Sequence, residues 1–394
     1  MKRFLLVLFT IVSGTVLFAQ QMAVPVFISG NDGYKSFRIP AIIKLSDGQL
    51  LAFAEGRVGG SGDFGNIDIV LKRSPDGGKT WSAIEKVIDY DSLQAGNPAP
   101  VVDLTDPKYP LGRIILFYNT GNNHENEIRH GKGIREAWYI TSTDFGISWS
   151  KPVNFTARVH KPNQPKINPD YNFTADWRSY ANTPGHAMQF STGKYKGRIL
   201  VAANHSEGSP KANFEDYFAH TYYTDDHGKS FRLGETIMIP GSNEATAAEI
   251  SGDKLMLNAR NQKGDIKARI VALSSNGGET WDTSYFDHNL PDPVCEGSIL
   301  TIGEQNGKNI LAFCNAADSL HRDNLTLRFS SDDGNSWPVS IPVDKSPEGN
   351  LRSDYTAYSD IIKLSPDEIG VLYEFDNYSQ IVFKVINRSK SIKK

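Results

Sequence analysis

Cysteine is nearly absent from this chain: two in 394 residues, Cys295 and Cys314. Two cysteines build no disulfide framework, and no Cys/His spacing typical of a metal site accompanies them. The pair is left open between one disulfide and two buried thiols. Long apolar runs are missing after the first twenty residues, so no later stretch matches the about 20 apolar residues that a membrane helix needs. Helical periodicity is scarce. An excess of positive charge is also lacking. The formal net charge is −3, and it becomes −5 when Lys2 and Arg3 are removed with the leader. That balance argues against a general polyanion binder, so nucleic acid is not an expected partner. An anionic ligand would require a local basic pocket instead.

The leader is residues 1–20, "MKRFLLVLFTIVSGTVLFAQ". Lys2 and Arg3 form a basic start, an apolar run extends from Phe4 to Phe18, and Ala19 is a small residue suited to cleavage. This is the pattern of a secretory signal peptide. It predicts export to the periplasm or the medium, and the leader has no cysteine for a lipid anchor. Residues 21–394 carry no Pro/Ser-rich linker or low-complexity stretch, and are expected to form one domain.

What is present is a series of short alternating or apolar runs, such as "AIIKL", "RIILFYN", "RILVAAN", "NILAFCN" and "IVFKVIN", separated by Gly, Pro, Asn and Asp. That is all-β patterning. A repeat lies on top of it: "SPDGGKTW" (74–81), "STDFGISW" (142–149), "TDDHGKSF" (224–231), "SSNGGETW" (274–281) and "SSDDGNSW" (330–337). In each, Asp or Asn can bond its own backbone, Gly supplies a positive φ, and an aromatic residue closes the turn. The octets therefore read as hairpin turns with a structural role. Too few oxygen ligands are present for a calcium loop. Recurrence of such a hairpin along the chain predicts a radial sheet repeat, a β-propeller.

Near the start, Ser36-Phe37-Arg38-Ile39-Pro40 sets an arginine between apolar residues on an expected strand. Arginine keeps its charge and offers a planar fork to a carboxylate. Alone, the string favours a strand-end arginine paired with a protein acid. "FRIP" followed by the repeated octets resembles the bacterial exo-sialidase (neuraminidase) family, whose octets are called Asp-boxes, and the resemblance covers nearly all of 21–394. It implies a six-bladed β-propeller that removes terminal α-linked sialic acid. It also implies an arginine triad on the sugar carboxylate, a tyrosine nucleophile paired with a glutamate, and an aspartate acid/base.

By that resemblance Arg38 in "FRIP", Arg260 in "LMLNAR" and Arg322 in "HRDNLTLRF" form the triad, with Arg328 as the rival of Arg322. Tyr358 in "AYSDIIKL" is the nucleophile, preferred to Tyr355. Glu244 in "SNEATAAEI" activates it, preferred to Glu249. Asp63 in the Gly-rich "GGSGDFGNID" is the acid/base, preferred to Asp68. Arg57 in "AEGR" and Asn97 in "GNPAPVVD" line the pocket, with Asp103 less favoured. His186 in "TPGHAMQF" either shapes the pocket or is structural. Trp138, Tyr139, Tyr171 and Phe173 either hold the N-acetyl or aglycone side or pack the core. The expected partners are sialylated glycoproteins, glycolipids or oligosaccharides; no metal or organic cofactor is implied, and a monomer is expected. The same constellation serves a trans-sialidase, and a non-catalytic glycan-binding propeller shares the octets.

Overall fold

The computed structural model describes residues 22–349, 351 and 353–391. The expected signal peptide, 1–20, lies outside the described residues. The regular secondary structure of the described chain is almost entirely β-strand, in antiparallel meanders. No helix among the described residues is long and apolar enough to cross a membrane.

Four sheets stand separately. One joins Ser242–Ile250, Lys254–Asn261, Ala268–Ser274 and Thr283–Pro291, and another Gly297–Gln305, Lys308–Ala316, Leu325–Ser330 and Val339–Asp344. A five-stranded sheet is built from Trp177–Asn182, Met188–Gln189, Ile199–Glu207, Tyr217–Thr224 and Arg232–Leu233. The fourth closes the ring: Val24–Ile28, from the start of the described chain, pairs with Gln380–Asn387 beside Glu368–Phe375 and Thr356–Lys363. The remaining strands, from Ser36–Lys44 to Val153–Asn154, are one eight-stranded sheet.

This corrects the expectation of six blades. The hydrogen bonds define four separate blades and one double-length sheet. The physical reason is local: the chain after Glu85–Ile88 turns back at once, and Ile67 pairs in parallel with Gln94, with Ile67 N donating to Leu93 O. That contact carries the ladder from Ile67–Ser74 straight into Gln94–Asp103.

The octets form the turns that their residues dictate. In all five, the Ser or Thr at the first position accepts from the Gly N–H at 2.8–2.9 Å. The Asp or Asn at the third position accepts from the backbone N–H of the seventh at 2.8–2.9 Å. Gly78 has φ +90°, and a Cβ there would run into the Phe383 ring of the neighbouring sheet. The closing aromatics pack inward: Trp81 against Phe383, Trp149 against Phe53, Phe231 within a cluster of Phe117, Tyr139, Phe155 and Tyr222, and Trp337 against Phe313. Apolar side chains fill the spaces between neighbouring sheets, as where Leu325, Leu327 and Phe329 meet Ile361, Val371 and Tyr373. Cys295 and Cys314 are fully buried free thiols, not a disulfide.

The first strands of successive meanders pack beside one another around the axis. Several of them bulge near their starts: between Arg38 and Ala41, Gly96 and Ala99, Trp177 and Tyr180, Ser242 and Ala245, and Thr356 and Ser359. An extra residue in one strand re-aims the side chains beside it. These bulges gather functional groups at one mouth of the axis.

Candidate active site

Three bulges deliver Arg38, Glu244 and Tyr358, a fourth delivers Asn97, and all four line one cavity of about 250 Å³. Ile39 inside the first bulge sits at φ 59°, a conformation that costs a β-branched residue about 1–3 kcal/mol. Glu374 holds it there. This fully buried carboxylate accepts from Arg38 Nε at 2.6 Å and Ile39 N at 2.9 Å through one oxygen, and from Tyr358 N at 3.2 Å through the other. One acid thus pins two bulges from opposite ends of the sequence.

The Tyr358 hydroxyl donates to Glu244, whose carboxylate oxygens both lie at 2.7 Å, and accepts from Arg260 Nη1 at 2.7 Å. Arg260 Nη1 also reaches Glu244 at 2.6 Å. The guanidiniums of Arg38 and Arg322 lie 5.3 and 5.5 Å from the Tyr358 ring centre. Burial pushes the phenol well above its ordinary pKa; Arg260 and Arg322 pull it back, and Glu244 adds to the rise. It is therefore a neutral hydroxyl in contact with a proton acceptor.

Arg322 is set by the loop before Leu325–Ser330. Its Nη1 donates to Tyr378 Oη at 3.2 Å and its Nη2 to Val294 O at 3.1 Å. Tyr378 also stacks on Arg38 at 4.0 Å and donates to Asp354 at 2.8 Å. On the other side, Arg57 is gripped by Glu55 through Nε at 2.9 Å and Nη2 at 2.6 Å, and donates to Asp63 at 2.8 Å. The Asp63 side chain is 72% exposed, at the mouth. Partial enclosure would raise its carboxyl, but Arg57, Arg38 and Arg135 outweigh this and hold it below the usual range. Asn97, at φ 52°, donates its N–H to Glu55 at 2.8 Å.

All eight expected site residues, Arg38, Arg57, Asp63, Asn97, Glu244, Arg260, Arg322 and Tyr358, therefore line the same cavity. Their rivals lie elsewhere. Arg328 bonds Asn315, Tyr355 meets Phe375 edge-on, Glu249 takes Ser191 and Thr192, and Asp68 takes Tyr34. Asp103 is buried against His227 and Gln189. Asp103, Asp106 and His227 could offer three metal ligands, but Arg113 already sits 3.6 and 3.8 Å from the two carboxylates. His186 is not in this cavity. It pairs with Asp360 at 2.6 Å, and Asp360 also accepts from Ile42 N, at the opposite mouth of the axis. Trp138, Tyr139, Tyr171 and Phe173 are not among the lining residues either. Trp138 and Tyr171 bond Glu136, and Tyr139 belongs to the aromatic cluster around Phe117.

Glu374, Glu55, Tyr378, Glu125 and Arg135 were not anticipated. "AEGR" had placed Glu55 beside Arg57 in sequence. Glu374, in "VLYEF", is an acid near the end of an apolar strand, which was the available signal for a buried partner. The lining carries five arginines, at 38, 57, 135, 260 and 322, and four acids, at 55, 63, 125 and 244. A chain of negative net charge thus keeps a locally basic pocket, the requirement for an anionic ligand.

Fold and site together define an all-β propeller with an arginine-lined axial pocket around a tyrosine–glutamate pair. The chain belongs to the BNR repeat-like domain family, whose model matches residues 48–371. It is 30% identical over 364 residues to a sialidase of Micromonospora viridifaciens, covering 88% of this chain and 51% of that one. The chain thus spans about half the length of that relative. Among solved structures, the Hadza microbial sialidase aligns with a TM-score of 0.76 at 24% identity, over 94% of this chain and 69% of that chain. An intramolecular trans-sialidase from Ruminococcus gnavus aligns with a TM-score of 0.70 at 17% identity, over 94% and 98%.

Proposed function

We propose that this protein is a secreted, monomeric, retaining exo-α-sialidase of the bacterial Asp-box type, acting on sialylated glycoproteins, glycolipids or oligosaccharides. The observation that carries the reading is the Tyr358–Glu244 hydrogen bond at 2.7 Å, set among Arg38, Arg260 and Arg322. Three guanidiniums crowded together are costly without an anion between them. The carboxylate on the anomeric carbon of a sialoside supplies that anion and takes planar, bidentate bonds.

The same carboxylate would repel an anionic nucleophile. A tyrosine nucleophile is the known departure of sialidases from the two-carboxylate scheme of glycosidases. Here the Tyr358 oxygen bonds to the anomeric carbon as its proton passes to Glu244. The bond to the aglycone oxygen breaks, and protonated Asp63 gives that oxygen its proton. Asp63, now a carboxylate, takes a proton from water. The hydroxide oxygen bonds to the anomeric carbon, the Tyr358–carbon bond breaks, and Glu244 returns the proton to the phenolate. Two inversions leave the configuration retained.

Tyr358→Phe removes the nucleophilic oxygen and keeps the ring. Turnover of a fluorogenic sialoside should fall by about 10³-fold or more, with the circular dichroism spectrum unchanged. Near-normal turnover would sink the mechanism, and no turnover by the wild-type protein would leave a glycan-binding propeller. A transferase using the same groups is separated by product analysis with excess lactose: sialylated lactose marks transfer, and free sialic acid alone marks hydrolysis.

A further inference from the structure

The loop 292–296, between Thr283–Pro291 and Gly297–Gln305, carries none of the groups of the proposed chemistry. It touches three segments that do. Asp292 Oδ2 accepts from the N–H of Asn261, the residue after Arg260, at 2.8 Å. Val294 O accepts from Arg322 Nη2 at 3.1 Å. Glu296 Oε2 accepts from the N–H of Ser359, the residue after Tyr358, at 2.9 Å. Arg260 and Tyr358 stand on different sheets and Arg322 on a loop of a third, so no one ladder sets their relative placement. The loop is itself held from both sides. Asp292 and Arg269 are fully buried, with 3.4 Å between Oδ2 and Nη1. Asp292 Oδ1 accepts from Cys295 N at 3.0 Å, and Arg269 Nη1 donates to Cys295 O. Between them Val294 sits at φ 63°, where a β-branched residue persists only when its surroundings impose it. Its side chain lies against the turn that follows Arg260: a Cβ on Gly264 would come 2.7 Å from Val294 Cγ2.

We propose that 292–296 is a positioning segment: Val294 sets Arg322 for the substrate carboxylate, and Glu296 sets Tyr358 for attack at the anomeric carbon. This rests on the sialidase reading above. None of the five residues lines the cavity, so each acts through the residue that it holds. The two arms have different kinetic signatures. Arg322 would bind the carboxylate alike in the ground and transition states, so its misplacement raises KM with kcat little changed. Tyr358 must meet the reacting carbon closely and in line, so its misplacement lowers kcat. Burial pushes the Glu296 carboxyl well above the ordinary carboxylate range. It is therefore a neutral acid, and glutamine is a near-isosteric replacement that keeps an acceptor oxygen for Ser359 N.

The test measures kcat and KM for a fluorogenic sialoside in two pairs of variants, with kcat referred to the folded fraction by circular dichroism. Glu296→Leu removes the acceptor and should lower kcat by about tenfold or more with KM near wild type, and Glu296→Gln should restore kcat to within about threefold. Val294→Pro cannot adopt a positive φ and should raise KM by about tenfold. Val294→Gly adopts it freely and should keep the wild-type KM. Wild-type kcat in Glu296→Leu, a Glu296→Gln variant as slow as Glu296→Leu, or wild-type KM in Val294→Pro overturns the positioning role and leaves the sialidase reading standing. If Val294→Pro does not fold, the Glu296 pair decides. No turnover by the wild-type protein overturns the sialidase reading, and the positioning role with it.

Discussion

Asp63, the acid of the proposed mechanism, sits under an electrostatic constraint. An acid that protonates a leaving group must hold a proton, yet Arg57, Arg38 and Arg135 keep this carboxyl below its usual range. Its proton is therefore lost early as pH rises, and activity should be greatest on the acid side. Arg57→Gln removes the guanidinium that touches it, so the descending limb of the pH–activity profile should move to higher pH; a limb that stays in place would release Asp63 from the acid role. Tyr378 is a second case. Its ring covers Arg38 and its hydroxyl holds Arg322. Tyr378→Phe keeps the first contact and loses the second, so KM should rise several-fold with kcat little changed. Arg38, Asp63, Glu244 and Tyr358 could be picked out because each sits in a short recognisable string. Glu374 and Tyr378 could not be placed in the site, because the arginines they hold lie over 300 and over 50 residues away.

Elements explain how those groups are aimed. An ordinary strand would send Arg38 and Tyr358 along fixed alternate directions; a bulge in each turns them to the axis, and Glu374 joins the two bulges. Glu374→Ala leaves Arg38 buried without its ion-pair partner. It should cost about 3–5 kcal/mol in urea unfolding and also weaken substrate binding, whereas a variant equal to wild type in both would free the bulges from this acid. The octet turns are independent of the site. Asp332 accepts from Ser330 Oγ, Ser336 N and Ser336 Oγ. By analogy with lost helix caps, Asp332→Ala should cost about 1–2 kcal/mol and leave kcat/KM unchanged. The octets were legible from sequence because the bonds that form each turn, from the Gly N–H to the first residue and from the seventh N–H to the third, are local. The bulges were not, since register is set by the partner strand.

The whole molecule adds a property that no single element has. His160, His205 and His220 are fully buried around Trp177 and Tyr180, with His205 and His220 ring nitrogens 3.1 Å apart. Burial holds His160 and His205 well below the ordinary histidine range, and lowers His220 to about 3. Above pH about 6.5 these rings are neutral in both folded and unfolded chains, and their contribution is complete. Below it the unfolded chain takes up protons that the folded one refuses, so stability falls with pH, by about 1.4 kcal/mol per unit for each histidine. Urea midpoints should therefore drop steeply between pH 6.5 and 4.5, and His160→Phe should flatten that drop. An equally steep drop in the variant would assign the acid sensitivity to other groups.

Sequence alone determined what is decided within a few residues of chain. The all-β pattern, the five hairpin turns and the candidates for the chemistry follow from alternation, from Asp and Gly conformational preferences and from local strings. Tertiary structure decided what depends on distance. The parallel contact of Ile67 with Gln94 fused two meanders and replaced the expected six blades by four and a double-length sheet. His186 went to the far mouth with Asp360. Of the two expected partners for Arg38, the protein acid is there: its Nε is on Glu374, while its guanidinium also lines the cavity. Closure of the ring by Val24–Ile28 then fixes how blades far apart in sequence meet. Closure and the Glu374 bridge together bring Arg38 and Tyr358 to one place, because nothing in either segment specifies the other.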